Sequence, residues 1–210
     1  MRRILAASTV ALVAICVAAT VASARPASTG CTKVALPKLA ARSAPKPKTA
    51  LSPKKTYYVT FQTNCGSFTV RLAVKTSPHT SASFASLVKR GFFDKTIFHR
   101  IVPGFIIQGG DPTGTGTGGP GYETRDTPPK TLRYTHGVVA MAKTQTEANG
   151  TSGSQFFVVT VPNAQLPPQY ALLGIVTKGL TVVDRIGKLG NGSEQPTQVV
   201  EITHAFVTVK

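Results

Sequence analysis

Residues 98–111, FHRIVPGFIIQGGD, hold the side chains best placed to do chemistry. Arg100 is the one cation in an otherwise apolar strand, Phe98-His99-Arg100-Ile101-Val102. Pro103-Gly104 then reads as a turn, and Phe105-Ile106-Ile107 as a second apolar strand ending in Gln108-Gly109-Gly110. Desolvating an unpaired cation is costly, so this one needs a partner or a purpose. An arginine with an amide nearby and large apolar neighbours suits one kind of chemistry: a charged hydrogen-bond donor acting on a neutral, apolar substrate. Other chemistries lack their parts. His79, His99, His136 and His204 contain no pair at ligand spacing and no joining acid or Cys, so no metal site is expected. The Gly-rich run 114–119 lacks the Gly-Lys-Ser/Thr ending of a phosphate loop, and Gly150-Thr151-Ser152-Gly153-Ser154 does not fit a nucleophile elbow.

Strand signals dominate the elements that must position these residues. Tyr57 to Phe61 and Ser67 to Leu72 are rich in aromatic and β-branched residues, and Thr63-Asn64-Cys65-Gly66 separates them as a hairpin turn. Ser77-Pro78 opens a helix in which Phe84, Leu87 and Val88 recur at helical spacing; Gly91 stops it. Residues 109–121 form a long Gly-rich loop. Strands are expected at Gly137 to Ala142, Ser154 to Val161 and Ala171 to Val176, with a polar loop from Thr144 to Gly153 and another over Leu166 to Tyr170. A second amphipathic helix spans Leu180 to Leu189, and strand character closes the chain over Gln198 to Thr203 and Ala205 to Val209. This pattern of many strands and two helices favours a β-barrel or sandwich capped by helices.

The 210 residues allow one ordinary domain with extensions. Residues 1–24 read as a secretory signal: Arg2 and Arg3, an apolar run from Ile4 to about Val21, then Ala22-Ser23-Ala24 before a cleavage point at Arg25. An uncleaved membrane anchor is the alternative, since the run approaches spanning length. Residues 25–56 carry eight basic side chains, five prolines and no acid, and read as a flexible basic linker, either a solvated tether or a segment lying on an anionic envelope surface. The net charge of +16 is therefore concentrated at the front: the domain over 57–210 has 14 basic and 8 acidic residues, a weak argument for nucleic acid. Once a signal is removed, Cys31 and Cys65 remain. An exported setting invites a disulfide between them; two independent thiols are the other possibility.

Several separated blocks together resemble the cyclophilin signature, in particular that of an exported bacterial member. They are Phe98-His99-Arg100, Pro103-Gly104-Phe105, Gln108-Gly109-Gly110-Asp111, Gly137 to Ala142, Gly153-Ser154-Gln155-Phe156-Phe157, and Leu166 and Tyr170 through Leu173-Gly174-Ile175-Val176. The resemblance covers about residues 57–210. It implies a mainly β fold, a closed eight-stranded antiparallel barrel capped by two α-helices. It also implies a peptidyl-prolyl cis-trans isomerase (a rotamase) that needs no cofactor and acts as a monomer on proline-containing polypeptides. Residue by residue, it places the catalytic arginine at Arg100 and the amide that holds it at Gln108. It places the proline pocket at Phe105, Ile106, Phe157 and Leu166, with Tyr170 lining it where many members carry His, and the substrate groove at Ala142 and Gln155. Gln165 stands where many members have a Trp that contacts cyclosporin, which implies weakened cyclosporin binding with activity kept. The loop from Lys143 to Ser152 is longer than in many members, and Lys143 replaces a common Asn.

Such a reaction suits these residues. Rotation about a peptide bond meets a barrier of roughly 18–20 kcal/mol from delocalisation of the nitrogen lone pair, and before proline the isomers exchange over tens of seconds or longer. No bond breaks, so no nucleophile, metal or acid–base pair is required. A fixed proline ring and a donor aimed at the nitrogen as it becomes pyramidal are sufficient, and a guanidinium keeps its charge throughout the neutral range. Two functions follow: an exported isomerase, or chaperone, that speeds folding of secreted proteins, and a proline-peptide binding module or holdase with incidental turnover.

Overall fold

The computed structural model describes residues 30–210; the apolar run over 1–24, with its two readings, and Cys16 lie outside the described residues. The elements are β1 (Tyr57–Thr63), β2 (Gly66–Leu72), α1 (Pro78–Lys89), β3 (Thr96–Ile97), β4 (Arg100–Val102), β5 (Ile106–Gly109), β6 (Thr124–Arg125), β7 (Val138–Met141), β8 (Thr151–Ser152), β9 (Phe156–Val159), β10 (Leu172–Lys178), α2 (Leu180–Gly187) and β11 (Glu201–Val209). The closing strand is continuous where two segments were expected; β8 falls inside the stretch read as a polar loop, and its partner β6 lies in a stretch to which no element was assigned.

Side-chain alternation builds the layers. β1 and β2 bury one face, through Val59, Phe61, Phe68, Val70 and Leu72. β7 and β9 bury all four of their residues. Successive side chains on a strand point to opposite faces, so a fully buried strand needs cover on both sides. Val139, Met141, Phe156 and Val158 enter the main core, whereas Val138, Ala140, Phe157 and Val159 join Ile106 and Tyr134 in a second apolar layer. The main core is aromatic: the Phe61 and Phe156 ring centroids lie 5.1 Å apart, and those of Phe84 and Phe93 lie 4.6 Å apart.

The nine strands form one strongly curled half-barrel in the order β3-β11-β1-β2-β10-β7-β9-β5-β4, and β6 pairs separately with β8. This corrects the closed eight-stranded barrel expected from the sequence. The sheet keeps two edges, because β3 pairs only with β11 and β4 only with β5. The chain leaves strand geometry between these edges, at Phe98-His99, so that stretch joins them covalently without a ladder of hydrogen bonds.

Helix α1 is capped differently from the sequence expectation. Ser77 occupies the N-cap, but its side chain makes no capping bond. Asp126, from the loop after β6, accepts from the Thr80 backbone N–H at 2.6 Å and pairs with His79 Nδ1 at 2.8 Å. A carboxylate there satisfies an orphan donor and complements the positive end of the helix.

Residues 30–56 do not run free as the expected flexible linker does. Cys31 and Cys65 are joined by a disulfide. The Thr32 N–H donates to Asn64 O at 2.8 Å, Ala40 N–H to Pro112 O at 3.1 Å and Ala44 N–H to Pro120 O at 3.0 Å. Arg42 Nη1 donates to Phe92 O at 2.7 Å and Asp94 O at 2.8 Å. Cys31, Ala44 and Leu51 pack against the main core. The scattered apolar residues and one well-placed arginine supply the docking that composition alone concealed.

The cross-link closes a loop whose ends are 34 residues apart, and chain entropy assigns such a bond about 3–4 kcal/mol. Cys31→Ser is expected to lower the urea midpoint, with a somewhat larger m-value because the uncross-linked unfolded chain exposes more surface. An unchanged midpoint would mean that the strap adds nothing to global stability.

Candidate active site

The β4-β5-β9-β7 ladder sets the site out in a row. Arg100 lies opposite Gln108, Gln108 opposite Phe157, and Phe157 opposite Ala140. Period-two alternation sends all four side chains to the same face, away from the main core that Ile101, Ile107, Phe156 and Val158 fill. Arg100 stays one-third exposed at the sheet edge.

The polar groups form one chain. Arg100 Nη1 donates to Gln108 Oε1 at 3.2 Å, and Gln108 Nε2 donates to Gln155 Oε1 at 3.1 Å. Gln155 Nε2 donates in turn to the carbonyls of Gly116 at 2.8 Å and Gly118 at 3.0 Å. At the other end, Arg100 Nε donates to Glu194 Oε2 at 2.6 Å. The two glutamines are thereby fixed in orientation, and Arg100 Nη2 makes no hydrogen bond to the described residues.

The loop carbonyls are held by Asp111, which is fully buried. It accepts from the Thr113 N–H and hydroxyl, both at 2.7 Å, from Gly116 N–H at 2.6 Å and from Gly118 N–H at 3.1 Å. Burial pushes its carboxyl up, but these hydrogen bonds outweigh it and hold it below the usual carboxylate value. A Cβ on Gly118 would lie 2.1 Å from Asp111 Oδ1, so only glycine permits this approach. The strap braces the same loop through Ala40, Ala44 and Leu39, whose Cδ1 a Cβ on Gly114 would meet at 2.6 Å.

Beside this polar chain lies the second apolar layer. Ile106 and Phe157 are buried in it, and Phe105, Ala142, Leu166 and Tyr170 pack against it half-buried. Tyr170 stands edge-on to Phe157, with centroids 5.4 Å apart and planes at 87°. Tyr134 fixes that loop: its hydroxyl donates to Tyr170 O at 2.7 Å and accepts from Tyr170 N–H at 3.0 Å. Burial pushes the Tyr134 phenol up to about 12, so it remains a donor. Next to the rings, Gln108, Tyr122, Ala142, Lys143 and Gln155 line an open cleft of about 780 Å³. Lys143 Nζ donates to the Thr144 and Glu147 carbonyls, which folds the 143–152 loop upon itself, and stands 5.7 Å over the Tyr170 ring.

The nine residues read from the sequence thus fall into two adjoining sets: Arg100, Gln108 and Gln155 in the hydrogen-bonded chain, and Phe105, Ile106, Phe157, Leu166, Tyr170 and Ala142 along the apolar wall. Sequence reasoning missed Glu194 and Tyr134. Glu194 is 94 positions from its partner, beyond any spacing rule. The available signal was its rarity, as one of eight acids in the chain, in a Gly190-Asn191-Gly192-Ser193 turn. His99, next to Arg100, is buried, and neither ring nitrogen has a hydrogen-bond partner among the described residues. Burial pushes its pKa down; Asp111 opposes this and Arg100 adds to it.

Residues 58–207 match the family model of cyclophilin type peptidyl-prolyl cis-trans isomerases. Peptidyl-prolyl cis-trans isomerase-like 1 of Aspergillus oryzae is 40% identical over 154 residues, which cover 71% of this chain and 94% of that protein. Peptidyl-prolyl cis-trans isomerase CYP18-2 of Arabidopsis thaliana is also 40% identical, over 71% of this chain and 92% of its own length. The crystal structure of a cyclophilin type isomerase of Cryptosporidium parvum superposes with a TM-score of 0.67 at 31% identity, covering 73% of this chain and 98% of that one. A second structure of that protein, determined in the presence of the dipeptide Ala-Pro, gives a TM-score of 0.66. These relatives are eukaryotic, so the likeness to an exported bacterial member is not among these findings.

A buried histidine held neutral favours the unfolded chain once it must take up a proton. Its contribution is complete above the ordinary histidine value of about 6.5 and is lost as pH falls through the depressed folded value. Wild-type stability is therefore expected to decline as pH falls below about 6.5, and the decline should be shallower in His99→Phe, with urea midpoints as the measure. Parallel curves would show that His99 does not titrate on unfolding.

Proposed function

The chain belongs to the cyclophilin-type peptidyl-prolyl cis-trans isomerase family, and we propose that this isomerase uses Arg100 to rotate X-Pro bonds in exported polypeptides. The observation that carries the catalytic assignment is the position of the guanidinium: tethered through Nε and Nη1 by Glu194 and Gln108, it shares a sheet face with Ile106 and Phe157 of the apolar wall, and Nη2 makes no hydrogen bond to the described residues.

In the proposed mechanism the substrate proline ring lies on that wall, edge-on to the phenyl ring of Phe157. Burying the ring removes apolar surface from water and fixes the axis of rotation. As the bond twists, the prolyl nitrogen loses conjugation and gains a lone pair. A donor from Arg100 binds that lone pair more strongly than the planar ground state, which is the differential binding catalysis requires. Gln108 keeps the guanidinium in plane, while Gln155 and Ala142 border the cleft that takes residues before the proline. The Ala-Pro dipeptide used with the Cryptosporidium parvum protein is consistent with this class of ligand.

Export is supported by the apolar run after Arg2 and Arg3 and by the Cys31–Cys65 disulfide, a bond that persists in oxidising compartments. On this reading residues 1–24 direct export, 30–56 strap the domain, and 57–210 perform the reaction on clients folding outside the cytoplasm. The exposed Lys33, Lys38, Lys46 and Lys48 would face anionic envelope surface.

Removing a donor aimed at transition-state charge costs on the order of 10²–10³ in rate. Arg100→Ala is accordingly expected to lower kcat/KM on an X-Pro peptide about 100-fold or more with an unchanged thermal midpoint. A folded mutant with wild-type turnover would refute the assignment. Gln165 is exposed beside the pocket residue Leu166 in place of an indole, so cyclosporin inhibition is expected to be weak while isomerisation persists. A nanomolar inhibition constant would contradict this.

A further inference from the structure

The loop between α2 and β11 is built to hold one carboxylate. Asn191 organises it: its Oδ1 accepts from Ser193 N–H at 2.9 Å and Gln195 N–H at 3.0 Å, and its carbonyl accepts from Glu194 N–H at 3.0 Å. Gly190 bridges to Pro196, and a Cβ on Gly190 would meet Ile101 O at 2.3 Å, so the loop presses directly onto β4. The contact is then locked by a backbone bond, Ile101 N–H to Glu194 O, at 2.9 Å. The residue at its tip places a side-chain oxygen 2.6 Å from Arg100 Nε.

Glu194 achieves this at φ +62, in the left-handed region that favours glycine. The chain contains 19 glycines, several of them at positive φ, yet it carries a glutamate here. Stability does not account for the choice. The two side chains are 33% and 47% exposed, and solvent-exposed ion pairs contribute little to folding. Strain kept without a stability return points to function at the site it serves.

We infer that Glu194 is a positioning residue for the isomerisation: its carboxylate orients the Arg100 guanidinium from the Nε side while Gln108 orients it through Nη1. The two acceptors approach different nitrogens of one planar group and so fix its rotation about the side-chain axis. Arginine is long and flexible, and without the carboxylate the Gln108 bond at 3.2 Å is its sole remaining side-chain tether among the described residues. Nη2 then samples directions away from the apolar wall, and the donor is present without being aimed. This inference rests on the assignment of Arg100 above.

The test is a double-mutant cycle on the full chain, with kcat and KM measured by NMR exchange on an X-Pro peptide. Glu194→Ala removes the carboxylate. Glu194→Gly also removes it while suiting φ +62, and so separates loss of the side chain from any disturbance of the loop. Both are expected to lower kcat about 10-fold with KM little changed, the scale expected when a reacting group is slightly misplaced. Neither should reduce turnover further in an Arg100→Ala background, and the Arg100 Nε–Hε resonance should lose its hydrogen-bonded shift. A structural role alone would lower activity in both backgrounds and overturn the inference, as would wild-type kcat in both variants. Full turnover in Arg100→Ala would remove the arginine's role and the glutamate's with it. The expected loss in Arg100→Ala beside unchanged Glu194 variants would overturn the glutamate's role alone.

Discussion

A guanidinium at the edge of a sheet, with an apolar wall on one side and a hydrogen-bonded chain on the other, is the constraint around which the rest of this domain is arranged. Full burial would demand complete pairing of the charge and leave nothing to offer a substrate; full exposure would let the long side chain wander and would weaken each interaction in water. One-third exposure, with Nε and Nη1 engaged and Nη2 free of described partners, lies between these limits. The chain from Glu194 through Arg100, Gln108 and Gln155 reaches the carbonyls of Gly116 and Gly118, so the glycine-rich loop is the far anchor of the same network.

The wall exists because β5, β7 and β9 are covered on both faces. Their inner residues belong to the phenylalanine core, and their outer residues form the second layer that carries Ile106 and Phe157. A rigid sheet thus presents a rigid apolar surface, and the chemistry needs no metal-bound water or covalent step to be plausible on it. The strap extends this rigidity outward. From the disulfide at Cys31 it runs along the domain to the 111–121 loop, linking a covalent bond in one region to the carbonyls that orient Gln155 in another.

Much of this was legible in the sequence for physical reasons that can be named. The apolar run over Ser154 to Val161 announced a strand, and the lone Arg100 between apolar neighbours announced a charge in need of partners, which Glu194 and Gln108 supply. The family resemblance supplied Phe105, Ile106, Phe157, Leu166 and Tyr170 as candidates, and these lie in one apolar layer. Three features were hidden. The sheet's two edges depend on how Phe98-His99 break the ladder, which no propensity encodes. The strap's docking depends on a few contacts, such as Arg42 with backbone carbonyls, within a segment whose proline and lysine content signals disorder. Glu194 depends on a tertiary contact between distant loops, and sequence spacing carries no information about such contacts.

The most direct test of the central claim is a crystal structure of the domain with a bound X-Pro peptide. The account expects the proline ring against Phe157 and Phe105, with a nitrogen of Arg100 within hydrogen-bond distance of the prolyl nitrogen or the carbonyl before it. A peptide seated with its proline away from that wall, or with Arg100 turned to solvent, would contradict it.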